Sequence, residues 1–291
     1  MKIMSKALSV VFLLTIIVNC TPNSLKRSFQ KLSPSKIING TPVPEENGLS
    51  KSVVGLLMNY EFGDGQKIWI QGCTGSVLNK NFILTAAHCV NHMAPTDLAI
   101  NFTKTSLVFE KQFNPATRIT DIEKVFVIRK VKSYIQHAKY DDSGNFDLAL
   151  IRLEDEIPAD AVPVQFLPDQ LVNLAENKTS FDLQNVNVIL MGFGLVSESP
   201  QTDTEVLRET IVPAQFINHL VVTDQTKGTG GCNGDSGGPA FYTFENVTYQ
   251  VGVTHGPHGQ STTCHEQGEW VNPGLNKDFL TSGQAELLQQ N

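Results

Sequence analysis

The sequence has no apolar run long enough to cross a bilayer: the stretch from Ala7 to Val18 is uncharged and mostly aliphatic, but it falls short of the ~20 residues a helical span needs. It has no internal repeat and no low-complexity tract, which excludes a stacked-repeat architecture. Basic charge is scarce where a fold would lie. Residues 1–36 hold six of the 22 Lys and Arg and none of the 29 Asp and Glu, leaving 16 basic against 29 acidic residues and a net −13 for the body. That sign argues against nucleic acid or an anionic membrane surface as a partner and mildly disfavours acidic substrates. Cysteine is limited to Cys20, Cys73, Cys89, Cys232 and Cys264, an odd number, so one stands apart. What is present is 41% apolar residues in a chain of 291, enough to bury a real core in one or two compact domains.

The start of the chain, two lysines within Met1 to Lys6 followed by the short apolar run, reads as a secretory signal. It places the protein outside the cytoplasm, where cysteines oxidise. A buried helix of a cytosolic domain is the alternative. The segment Ile17-Val18-Asn19-Cys20 resembles a bacterial lipobox, with Asn19 where Gly, Ala or Ser is usual. Two outcomes stay open: lipidation of Cys20 with anchoring to a bacterial membrane, or ordinary signal cleavage nearby. Thr21 to Lys36 is polar, basic and interrupted by Pro22 and Pro34, so residues 1–19 are read as signal, 20–36 as tether or propeptide and 37–291 as the folded part.

From Ile37 onward, short apolar segments recur between Gly, Pro, Asn and Asp clusters: Val53 to Met58, Lys67 to Gln71, Phe82 to Thr85, Val125 to Arg129, Asp147 to Leu153, Val186 to Met191 and Thr248 to Thr254. Many short punctuated strands imply an all-β sandwich or barrel. Asn276 to Gln290, rich in Leu, Ala, Glu and Gln, suits a closing helix.

Three segments carry chemistry. Gly234-Asp235-Ser236-Gly237-Gly238-Pro239 sets a serine among glycines that can aim consecutive N–H groups at one point, the arrangement an acyl-transfer oxyanion requires. Each such donor, fixed in advance, stabilises it by ~3 kcal/mol. Thr85-Ala86-Ala87-His88-Cys89 offers an imidazole, and a serine hydroxyl needs such a base to become a nucleophile. Asp147-Leu148-Ala149-Leu150-Ile151 opens an apolar strand with a carboxylate that is costly to bury unless hydrogen-bonded, a need that orienting a histidine would satisfy. Taken singly, the three also read as a glycine turn, a core histidine and an exposed strand-start aspartate.

Together, in the order His, Asp, Ser, they resemble the trypsin and chymotrypsin family of serine proteases from Ile37 to nearly the end of the chain. The resemblance implies two antiparallel six-stranded β-barrels with a short C-terminal helix, the first over about 37–160 and the second over about 161–291. It assigns His88, Asp147 and Ser236 to catalysis, and the N–H groups of Gly234 and Ser236 to the oxyanion hole. It pairs Cys73 with Cys89 and Cys232 with Cys264, each bridge worth ~3 kcal/mol by the chain-entropy model. Met191-Gly192-Phe193-Gly194 resembles the family's glycine-rich strand end near the pocket.

Lys36-Ile37-Ile38-Asn39-Gly40 resembles the family's activation site, with Ile-Asn-Gly where Val-Gly-Gly is usual. Cleavage after Lys36 would free the Ile37 amine to pair with Asp235 and order the oxyanion loop. Residues Gly230, Gly256 and Gly274 fall at the specificity pocket by the same analogy, with no acidic residue at its base. That favours a large apolar or aromatic residue before the scissile bond and a separate trypsin-like protease as activator. A one-residue shift would put His255 in the pocket, as in some glutamate-specific relatives, and make the protein a Glu-specific endopeptidase. The expected partners are protein or peptide substrates, with no metal and no cofactor; Cys264 is wanted for its bridge rather than for a zinc set with His255, His258 and His265. The competing class is a catalytically silent, protease-like binding module. Asn101, Asn177 and Asn246 head glycosylation sequons.

Overall fold

The computed structural model describes residues 37–44, 46–61, 67–107, 118–141, 144–168, 171 and 186–290. The signal, Cys20, the tether, Lys36 and the Asn177 sequon lie outside the described residues. Fifteen strands run through the described part: β1 Thr41–Pro42, β2 Val53–Glu61, β3 Lys67–Asn79, β4 Phe82–Thr85, β5 Leu98–Asn101, β6 Ile128–Gln136, β7 Ala149–Leu153, β8 Val186–Gly192, β9 Ser197–Glu198, β10 Gln201–Thr202, β11 Arg208–Ile217, β12 Leu220–Asp224, β13 Pro239–Phe244, β14 Val247–Pro257 and β15 Gln267–Val271.

Six of them close into an antiparallel barrel in the order β2-β3-β4-β7-β6-β5. A second ring follows the order β11-β12-β15-β14-β13-β8, with β8 returning to β11, and β1 adds to the outside of β11. Closure removes the open edges that would otherwise template aggregation. Val54, Leu56, Ile83, Leu84, Leu148 and Leu150 fill the first barrel. Val188, Leu190, Val212, Val221, Val251 and Trp270 fill the second.

The chain ends cross over. β1 belongs to the second barrel, whereas the helix Lys277–Gln289 lies on the first. Leu280 and Leu287 of that helix enter the first barrel's core, and Arg152 Nη1 donates to the carbonyls of Leu287 and Gln290. Gly283 lets the helix approach closely, since a Cβ there would stand 2.9 Å from Leu150 Cδ1. Both bridges form, Cys73–Cys89 with Cα atoms 6.2 Å apart and Cys232–Cys264 at 5.2 Å. Of the described sequons, Asn101 is fully buried, its Nδ2 donating to Gln71 Oε1 and the Thr105 carbonyl, and Asn246 is exposed.

Candidate active site

His88 follows β4 in a tight turn in which Cys89 and Val90 donate to the carbonyls of Ala86 and Ala87. The neighbouring disulfide ties this turn to β3. Asp147 precedes β7 in another tight turn, closed by Leu148 N–H on the Phe146 carbonyl at 2.7 Å. Phe146 holds a left-handed φ of 54°, unusual for a bulky side chain, between the stacked rings of His137 and His219 with centroids at 4.8 and 5.5 Å.

The two turns meet. Asp147 Oδ1 accepts the His88 backbone N–H at 2.9 Å, and Oδ2 lies 2.6 Å from His88 Nδ1. A second imidazole, His255 Nδ1 from β14, lies 2.6 Å from the same Oδ2. Burial pushes the Asp147 carboxyl up, but the hydrogen bonds from the His255 and His88 rings outweigh it and bring its pKa to about 2. An ionised carboxylate only accepts, so His88 carries its proton on Nδ1 and presents the Nε2 lone pair, the tautomer a general base needs. That Nε2 stands 3.7 Å from Cys89 Sγ, and no hydrogen bond joins it to Ser236 Oγ.

Ser236 comes from the second barrel, on a loop clipped to the first. Thr74 N–H donates to the Ser236 carbonyl at 2.8 Å and Thr74 Oγ1 to the Gly234 carbonyl at 2.9 Å. Gly237, at φ 77°, passes so close that a Cβ would stand 2.0 Å from Thr85 Oγ1 and 2.5 Å from the Thr74 carbonyl oxygen. The N–H groups of Asp235, Gly237 and Gly238 go to the carbonyls of Cys232, Thr254 and Asp235. Those of Gly234 and Ser236 enter no hydrogen bond among the described residues, leaving two donors for an incoming oxyanion. Between them Asp235 is buried, its oxygens accepting N–H from Gly194 and Cys232 at 2.8 Å each. Burial drives its pKa up to about 7 against those two hydrogen bonds.

The trypsin family model matches residues 60–268 of this sequence. The chain belongs to the trypsin family. The matched stretch is a serine endopeptidase domain of that family. Among curated relatives, the human hepatocyte growth factor activator serine protease is 27% identical over 225 residues, covering 69% of this chain and 32% of that protein. Melanization protease 1 of Drosophila melanogaster is 27% identical over 230 residues, covering 70% and 54%. Limulus clotting factor C of Carcinoscorpius rotundicauda is 25% identical over 207 residues, covering 65% and 19%. The chain thus spans from about a fifth to about half the length of these relatives. A solved HL collagenase shares the fold with a TM-score of 0.63 at 20% identity, covering 85% of this chain and 98% of that one.

Beside Ser236 lies a cavity with a volume of about 110 Å³. His255 and Gly256 line it, with Gly231, Gly268, Asn233 and Thr263. Gly230 and Gly274 do not. Gly230 donates its N–H to the Ile38 carbonyl behind the wall, and Gly274 sits in a 3-10 turn beyond the end of β15, donating to Asn272 Oδ1. Gly268, inside β15, takes the place expected of Gly274.

The floor is built by two residues that sequence reasoning missed. Gln225 Oε1 accepts Gly231 N–H at 2.6 Å and its Nε2 donates to the Cys264 carbonyl, so a Cβ on Gly230 would stand 1.9 Å from Oε1. Trp270 lies close to Gly231 and Gly268, 3.2 and 2.4 Å from where a Cβ on each would be. The pocket is therefore shallower than the roomy site the glycines alone suggested. Of the four residues weighed as a zinc set, Cys264 is bridged to Cys232, while His255, His258 and His265 face Asp147, Glu269 and Glu198 separately. A run of buried polar positions, Gln225 and Glu269 above all, is the signal that reading for apolar strands passes over.

Proposed function

We propose that this protein is a secreted serine endopeptidase, made as a precursor and switched on by cleavage after Lys36. The observation that carries the reading is the Asp147–His88 pair, which holds a proton on His88 Nδ1, beside a serine loop offering two N–H donors unused among the described residues. Ser236 Oγ attacks the carbonyl carbon as its proton passes to His88 Nε2. The carbonyl oxygen, now anionic, is met by the N–H groups of Gly234 and Ser236. The leaving amine takes the proton from His88, and water, deprotonated by the same nitrogen, releases the acyl group. Oγ and Nε2 must approach when substrate binds, a tightening common in such sites.

Activation follows from Asp235. A buried carboxylate with two backbone donors among the described residues needs a cation, and Ile38 is buried against Cys264 and Cys232, the latter close in sequence to Asp235. Cleavage after Lys36 supplies an ammonium at the start of that segment.

For specificity, His255 is the one titratable residue lining the cavity among the described residues, and its ring nitrogens face Asp147 and Gly144 rather than the cavity. A cavity whose lining holds no carboxylate, over an indole and a carboxamide, supports an apolar or aromatic residue before the cut, with Glu as the alternative. Such a pocket does not accept Lys36, so a separate trypsin-like protease is the expected activator. Two disulfides and the basic, apolar start support secretion. Cys20 lies outside the described residues, and both lipidation there and ordinary signal cleavage nearby stay open. Relatives named as an activator, a melanization protease and a clotting factor support protein substrates.

The test is a peptide library digested by the chain cleaved after Lys36, with Ser236→Ala as control. Cuts after Phe, Tyr or Leu that fall at least about 1000-fold in the variant are expected. Cuts after Glu would reverse the specificity, and no cuts would favour the silent binding module.

A further inference from the structure

Asp147 is held by two imidazoles where orienting His88 requires only one. We propose that His255 is a positioning residue that grips the same carboxylate oxygen as His88 and, through its own proton, extends the enzyme's activity to lower pH.

The geometry is specific. Both Nδ1 atoms lie 2.6 Å from Oδ2 of a fully buried carboxylate, and the two rings meet edge to face, 85° apart with centroids at 5.8 Å. Because the carboxylate only accepts, both rings hold their first proton on Nδ1, and each can gain charge only at Nε2. His255 Nε2 points to the barrel-one loop, where Gly144, at φ 90°, leaves it room; a Cβ there would stand 2.7 Å from Nε2 and 3.3 Å from Glu269 Oε1. Glu269, on β15 beside His255, is itself held by His258 Nδ1 at 2.7 Å. Among the described residues, Asp147, His88 and Glu269, with His258 behind the last, are the titratable groups facing His255.

The hydrogen bond to Asp147 raises the His255 pKa against the effect of burial, and the charges of Asp147 and Glu269 add to the rise. A proton on Nε2 leaves the Nδ1–H bond to Asp147 intact, so His88 stays oriented. It adds a cation 5.8 Å from the His88 ring, which then takes up its own, inactivating proton only at lower pH. A hydroxyl or carboxamide at this position could hold the carboxylate but supplies no such charge.

This inference rests on the roles proposed for His88 and Asp147. The pH dependence of kcat/KM is measured for the chain cleaved after Lys36 in wild type, His255→Asn and His255→Ser. The acid limb should move up by about one pH unit in both variants, a roughly tenfold relative loss at pH 5, as expected for unit charges some 6 Å apart in a partly solvated cleft. Glu269→Gln should shift it in the same direction by less. A uniform loss at every pH with the limb unmoved would overturn the proposal, because a purely structural histidine predicts that result.

If the His255 variants do not fold, imidazole NMR titration of the full chain carrying Ser236→Ala decides: His255 must gain its proton at higher pH than His88, and the reverse order refutes the idea. An inactive wild type would count against the proposed function, and the same titration would still decide for or against His255.

Discussion

Asp235 shows what a single residue can store. With its carboxyl pushed up to about 7 by burial, the folded uncut chain binds a proton that the unfolded chain releases near 4. Between those values the folded state holds more protons, so stability falls as pH rises from about 4 to 7, by on the order of 4 kcal/mol at most. Thermal unfolding of the uncut chain should therefore show a larger stability loss over that window in wild type than in Asp235→Asn. Equal pH dependence in the two would mean that the buried carboxyl is already paired. Ser236, His88 and Asp147 were legible as candidates because acyl transfer demands those residue types in recognisable local settings, and the structure brings His88 and Asp147 into contact. His255 as a partner of Asp147 was not, since the two are 108 positions apart and only the closure of two barrels joins them. Gln225 was likewise silent, a polar residue whose whole task is to satisfy backbone groups under the pocket.

At the scale of elements, the segments found include the buried β2 and the alternating β8, while the buried β5, the apolar β12 and the polar-interrupted β11 were missed. β2 reads as a continuous apolar segment because its first six residues are buried. β11 carries Arg208, Glu209 and Pro213, yet Val212, Ala214 and Phe216 point inward in strict alternation, which is how a half-buried strand fills a barrel. β6 lies three residues later than expected, as Val125 and Val127 are exposed and the ladder begins at Ile128. The nucleophile loop depends on how tightly β3 and β4 press on it. Gly237→Ala should lower stability by about 2 kcal/mol or more, through a left-handed backbone and a clash with the Thr74 carbonyl, and should cut kcat/KM at least about 100-fold. A variant that melts lower but cleaves normally would show that the loop can move without cost to catalysis.

Across the whole molecule, each barrel is fastened by the opposite end of the chain: β1 lies on the second and the C-terminal helix on the first. The candidate site straddles the same division: His88 and Asp147 come from one barrel, Ser236 and the His255 that contacts Asp147 from the other, and Thr74 clips the two together. The terminal crossings follow from packing against residues far away in sequence, which local patterns do not encode. The proposed activation would act at this scale too, since a cut ahead of Ile37 would have to reach Asp235 and the loop that carries Ser236. The most direct test of the account is mass spectrometry after exposure to an organophosphorus fluoride, a reagent that phosphorylates a serine activated by a neighbouring base. One adduct per chain, on Ser236, is predicted for the protein cleaved after Lys36, and none for the uncut chain or for His88→Ala. Labelling elsewhere, labelling that survives His88→Ala, or no labelling of the cleaved protein would contradict it.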